Sequence, residues 1–172
     1  MKLKRFLLLL LMIEIFVEIF YLTKYEVFAY WKDETNTKSQ DTEIILNEEE
    51  INAFEKVNEY RQENGLSKLK FSKELQEVAE IKAKDLLESN NFSHTSATYG
   101  STFNIMRDKK IEYKIAGENL AGNINSDRAV EAWINSEAHR NNILENQYNY
   151  TAIAAIESPE YGMIFVQLFI SK

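Results

Sequence analysis

The chain has 172 residues, 45% of them hydrophobic, with a formal charge of −7 at pH 7 and no cysteine. That length holds one ordinary domain plus a leader or tail, and the apolar share supplies a sizeable core. The lack of cysteine excludes a disulfide framework, thiolate metal ligands and thiol catalysis, while the acidic balance repels phosphate backbones and excludes nucleic acid as a natural partner.

The first residues are basic, with Lys2, Lys4 and Arg5, and Phe6 to Ile13 follows as a continuous apolar run. Val27-Phe28-Ala29 places small residues before Tyr30. This is the three-part layout of a secretory signal. Glu14 and Glu18 interrupt the run. An acidic residue at a bilayer centre costs roughly 2.5–3.5 kcal/mol, so the segment suits a transient signal better than a stable span. Residues 1–29 are therefore expected to be a signal peptide, or an N-terminal membrane anchor if uncleaved. Four cations against three carboxylates give them +1 and leave −8 on the remainder. Residues 30–47 are polar and aperiodic and read as a linker.

A domain over 48–172 follows. Asn47 is placed to cap a helix, with Glu48, Glu49 and Glu50 at its positive end and Ile51, Phe54 and Val57 at helical spacing. Gly65 ends that helix, and Leu66 and Leu69 are expected to plug the core. Ser72 opens a second helix, with Leu75, Val78, Ala79, Leu86 and the stem of Lys82 on one face. It stops near Asn90-Asn91, which leaves Phe92-Ser93-His94 in the following loop. A short helix is expected within Ser101–Lys109. Tyr113 to Ala121 reads as extended, interrupted at Gly117. Ser126 is expected to cap another helix with Val130, Trp133 and Ile134 inward, and Ser136 to restart it as a separate turn or two. Thr151–Glu157 and Met163–Ile170 read as a hairpin around Ser158–Gly162. Helices first and strands gathered late give an α+β fold.

Both histidines and a glycine-flanked glutamate fall in three short stretches: Phe92-Ser93-His94, Gly117 to Gly122, and Trp133 to Leu144. Two imidazoles and a carboxylate are the ingredients of a divalent-metal site or a proton-transfer site. By residue type alone, plainer readings stand beside that one. His94 reads as a surface histidine, Glu118 as an exposed loop carboxylate, and His139 as a helix-face histidine paired with a carboxylate. Arg140 reads as structural, holding a carboxylate or helix-end carbonyls. Asn119 and Asn135 read as backbone braces. Gln167 is either a buried, bonded amide or on the solvent face. Phe92, Trp133 and Tyr148 read as core. The sequence has no H-E-x-x-H, which argues against a classical zincin, and no G-x-S-x-G or phosphate-cradling glycine loop.

FSH, GENLAG and W-x-N-S-x-x-H-R-x-N-I-L, in this order between about Ile51 and Phe169, resemble the CAP superfamily of SCP-like, cysteine-rich secretory proteins, in its compact bacterial branch without cysteines. The resemblance implies an α-β-α sandwich with a cleft that gathers His94, Glu118 and His139, with Asn119 beside them. It also implies a second cleft carboxylate three residues after the tryptophan, where this chain has Ser136. Glu137 stands next to it and is the candidate base, but residues two apart on a helix do not share a face. It reaches the cleft only if Ser136 breaks the helix. Three expectations follow. The first is a secreted or surface-tethered binding module whose His94, Glu118 and His139 hold Zn²⁺ or another divalent cation, or a small apolar, lipid or peptide ligand or cell-envelope component. The second is a metal-dependent hydrolase using Glu137. The third is an envelope or interaction protein with a vestigial site. The membrane enters each reading only through the N-terminal segment.

Overall fold

Asn47 and Glu50 form a reciprocal cap at the start of helix α1 (Glu48–Glu63). The Asn47 side chain accepts from Glu50 N at 3.0 Å, and the Glu50 carboxylate accepts from Asn47 N at 2.9 Å, so two orphan amides are satisfied at once. At the other end Leu66 N donates to Arg61 O and Gly65 N to Gln62 O, with Gly65 at φ +76°. This left-handed stop is the one a glycine takes without strain. The computed structural model describes residues 44–172. The signal or anchor expected at 1–29, and the linker up to residue 43, lie outside the described residues.

The remaining elements are β1 (Lys70–Phe71), α2 (Lys73–Ser89), β2 (Thr95–Ser96), β3 (Gly100–Ser101), α3 (Thr102–Asp108), β4 (Ile115–Asn123), α4 (Ser126–Asn135), α5 (Glu137–Leu144), β5 (Tyr150–Ser158) and β6 (Gly162–Ser171). One sheet has the order β1-β5-β6-β4; β1 is parallel to β5, and the other pairs are antiparallel. Strands β2 and β3 form a separate two-stranded ribbon.

The central strands are covered on both faces. Ala152, Ala154, Ile164, Val166, Leu168 and Leu120 pack with Leu75, Val78, Ala79 and Leu86 of α2. The alternate residues Ile153, Ala155, Phe165, Phe169 and Ala121 pack with Val57, Val130, Trp133 and Ile143 from α1, α4 and α5. Such near-continuous apolar strands are what a sheet buried on both sides requires. The result is the expected α-β-α sandwich, in the α+β class.

Four local expectations are corrected. β4 runs unbroken through Gly117, paired with Phe169 of β6. The cap of α4 is Asn125, whose side chain accepts from Arg128 N at 3.0 Å, and Ser126 is the first helical residue, its N–H donating to the Glu49 carboxylate at 2.6 Å. Phe92 is 36% exposed and leans on Tyr161, with ring centroids 5.0 Å apart, so it is not core. Asn135 is exposed at the end of α4 and, among the described residues, bonds neither Glu118 nor His139. Trp133 and Tyr148 are core, as expected.

Candidate functional site

Side chains alternate along a strand, so neighbours in GENLAG serve opposite faces of the sheet. Glu118 points to the α2 side with Leu120, and Asn119 to the α5 side with Ala121. β4 is an edge strand, so the two faces meet at its rim.

On the α2 side, Glu118 Oε1 accepts from His94 Nδ1 at 2.6 Å. The Thr102 hydroxyl, on the first residue of α3, donates to Glu118 Oε2. The Glu118 side chain is 6% exposed and that of His94 61%, so a nearly buried carboxylate orients an imidazole that faces solvent. An ionised carboxylate only accepts, which assigns the Nδ1 proton to His94 and turns Nε2 outward. Lys82 is wholly buried, its ammonium donating to Ser93 O, next to His94, at 2.7 Å. Burial pulls the Lys82 pKa down, and the Glu118 and Asp85 carboxylates oppose that.

On the other side, Asn119 donates to the main-chain carbonyl of His139 and to Gln167 Oε1, both at 3.2 Å. Asn142 of α5 donates to Glu118 O at 3.1 Å and to Asn119 Oδ1 at 2.9 Å. Trp133 Nε1 donates to Leu120 O at 3.0 Å. The tryptophan and Asn142 of W-x-N-S-x-x-H-R-x-N-I-L thus cap outward carbonyls of GENLAG. That is how a helix pair is fixed on an open sheet edge. Arg140 donates to Ile134 O at 2.8 Å, a helix-end carbonyl, as its reading anticipated. Buried Arg61 donates to Ile143 O at 2.6 Å and Glu145 O at 2.9 Å and pins the end of α5.

His139 is half-buried on α5. Its pKa is lowered first by burial and second by the charge of His94. Gln167 is buried within the amide chain. Ser136 does break the helix between α4 and α5, but Glu137 is exposed in the first turn of α5.

Among the described residues no three histidine, aspartate or glutamate heads are grouped to hold a metal ion. Both Glu118 oxygens are taken, one by His94 itself, and the Glu118 charge acts on a buried ammonium. In this arrangement Glu118 orients His94 and has no free oxygen of its own to offer a cation. Two surface hollows, of about 610 and 510 Å³, lie elsewhere, one lined by Ile124, Glu157, Ser158, Pro159, Gly162 and Met163, the other by Glu74, Lys110, Glu112, Tyr113, Lys114 and Lys172.

Thr102, Asn142 and Arg61 were not singled out from the sequence, and Lys82 was read only for its stem. Lys82 did leave a signal, a cation on an otherwise apolar helical face. Asn142 left one as the asparagine of H-R-x-N-I-L.

The cysteine-rich secretory protein (CAP) family matches residues 54–169. The chain belongs to the CAP family. The uncharacterized protein YkwD of Bacillus subtilis is 40% identical over 128 residues, 71% of this chain and 49% of that protein, so this CAP chain spans about half the length of that relative. Two solved structures share the fold at 26% identity. An extracellular SCP-domain protein of Bacillus anthracis has a TM-score of 0.67 over 76% of this chain and 45% of its own. An outer surface protein of Borrelia burgdorferi has a TM-score of 0.65 over 76% of this chain and 98% of its own. The CAP neighbours are thus extracellular or surface proteins. No helix among the described residues is long and apolar enough to cross a membrane.

Proposed function

We propose that this CAP domain is a binding module that works outside the cytoplasm, secreted or tethered by its N-terminal segment. It takes a polar group of a peptide or cell-envelope component between His94 and His139. The basic-then-apolar leader and the extracellular neighbours support the location. One observation carries the binding role: the 2.6 Å His94–Glu118 bond, which locks a solvent-facing imidazole in one orientation. Neutral His94 then offers Nε2 as an acceptor for a ligand N–H or O–H, and protonated His94 offers a donor.

Catalysis is less well supported. In a nucleophilic triad the imidazole bonds the hydroxyl it activates. Here the Thr102 hydroxyl donates to the carboxylate instead. Glu137, the candidate base, is exposed in the first turn of α5.

The test is NMR shift mapping on the purified domain with three separate probes: envelope stem peptides, lipid micelles and Zn²⁺. Stem peptides are expected to move His94 and His139 signals, and His94→Ala to abolish the effect. Perturbation only around 157–163, or by no probe at all, sinks the reading. Saturable Zn²⁺ binding lost in both His94→Ala and His139→Ala replaces it with the metal-bearing one. N-terminal sequencing of the mature protein checks export, and a cytosolic form starting at Met1 refutes it.

A further inference from the structure

Lys82 is the largest unexplained polar burial near the cleft. It lies on the apolar face of α2 among Val78, Ala79 and Leu86, with none of its surface exposed. Burying an ammonium is costly unless it is partnered and hydrogen-bonded. Its partners are specific. The ammonium donates to Ser93 O at 2.7 Å and stands 3.8 Å from Asp85 Oδ2, and the Glu118 charge acts on it. Asp85 Oδ1 in turn accepts from the Ser96 hydroxyl at 2.9 Å, and Ser96 Oγ accepts from Thr98 N and Tyr99 N. Ser93 and Ser96 bracket His94. The pair one turn apart on α2 therefore grips the His94 loop on both sides, and its cation also touches the field of the carboxylate that orients the ring.

We infer that Lys82, with Asp85, is the positioning residue of the cleft: it clamps the Ser93–Ser96 loop on α2 and sets His94 against Glu118. A methionine of similar length would fill the same volume but leave Ser93 O without its donor and Glu118 without its cation. A purely packing role for Lys82 predicts no such loss. The inference rests on the reading of His94, oriented by Glu118, as a ligand-contacting residue. Its test needs no ligand, so a failure of either idea is visible separately.

The test follows the His94 Nδ1–H proton by NMR in wild type, Lys82→Met and Lys82→Met/Asp85→Asn. The double variant removes both buried charges, and the Asp85→Asn change keeps an amide oxygen as acceptor for the Ser96 hydroxyl. Replacing a buried ion pair by neutral groups of like volume is often tolerated. The double variant is therefore expected to melt close to wild type yet to lose the hydrogen-bonded His94 signal. Recovery of both melting and signal overturns the proposal. If the variants do not fold, the wild type still decides. A Lys82 ammonium signal protected from exchange is expected, and a freely exchanging one refutes the clamp.

Discussion

Gly117 sets the packing of α5 and Tyr148 against β4 by what it lacks. A Cβ there would lie 2.6 Å from the Tyr148 hydroxyl and 3.2 Å from Asn142 Oδ1. The glycine is needed for close approach, since the strand passes through it in ordinary extended pairing. Gly117→Ala should cost about 1–3 kcal/mol by overpacking, read as a lower urea midpoint with displaced Asn142 signals. Gly65→Ala is the contrast. No atom lies within 4 Å of its added Cβ, but φ is +76°, so about 1–2 kcal/mol is lost to backbone strain while the cleft signals stay in place. Equal cleft displacement in both variants would refute the crowding account.

At the level of elements, α5 is held on the rim of β4 by few but well-placed bonds. Asn142 carries two of them, to Glu118 O and Asn119 Oδ1. Asn142→Ala strands both acceptors in a part-buried site, which should cost about 1–3 kcal/mol. The same change frees the helix that carries His139. Denaturation measures the first effect, and broadening of the His139 ring signals reports the second. A variant as stable as wild type, with sharp His139 signals, would mean that Asn119, through His139 O, and Arg61 seat the helix without Asn142. The edge of β5 is closed in a similar way. Beyond its short pairing with β1, Asn47 Nδ2 donates to Ala155 O at 2.9 Å, and Glu50 Oε1 accepts from Ala155 N at 3.0 Å. One capping box thus starts a helix and also finishes a sheet.

For the whole molecule, two groups give opposite pH slopes. Burial and His94 lower the His139 pKa from 6.5. Just below 6.5 the unfolded chain then binds more protons than the folded one, so stability falls as the pH drops through that window. Burial raises the Glu50 pKa from 4.5. The folded state then holds more protons just above 4.5, and stability falls as the pH rises through that window. From about pH 7 to about pH 5, His139→Gln should therefore lose less stability than wild type, and Glu50→Gln should lose more. Glutamine at position 50 cannot titrate, but its one amide oxygen replaces two carboxylate oxygens that accept from Asn47 N and Ala155 N, so the change of stability with pH, and not its absolute value, carries the comparison. Parallel denaturation series at the two pH values check both signs. Identical slopes in all three proteins would discard the assignment.

Much of the molecule was legible along the chain because its causes are local. Asn47 and Ser72 cap the helices they precede, Gly65 and Asn90 stop them in left-handed turns, and Ser136 divides α4 from α5. The order of FSH, GENLAG and the Trp133–Leu144 stretch pointed to His94, Glu118 and His139 and to the family. Packing alone decided the rest. It turned Glu118 and Asn119 to opposite faces of one strand, brought Thr102 across 16 residues to Glu118, and left Phe92 at the surface against Tyr161. It also seated the Lys82 ammonium on Ser93 O. Caps and periodicities act over a few residues and are written where they act. A hydrogen bond between groups far apart along the chain exists only once burial has fixed which faces meet.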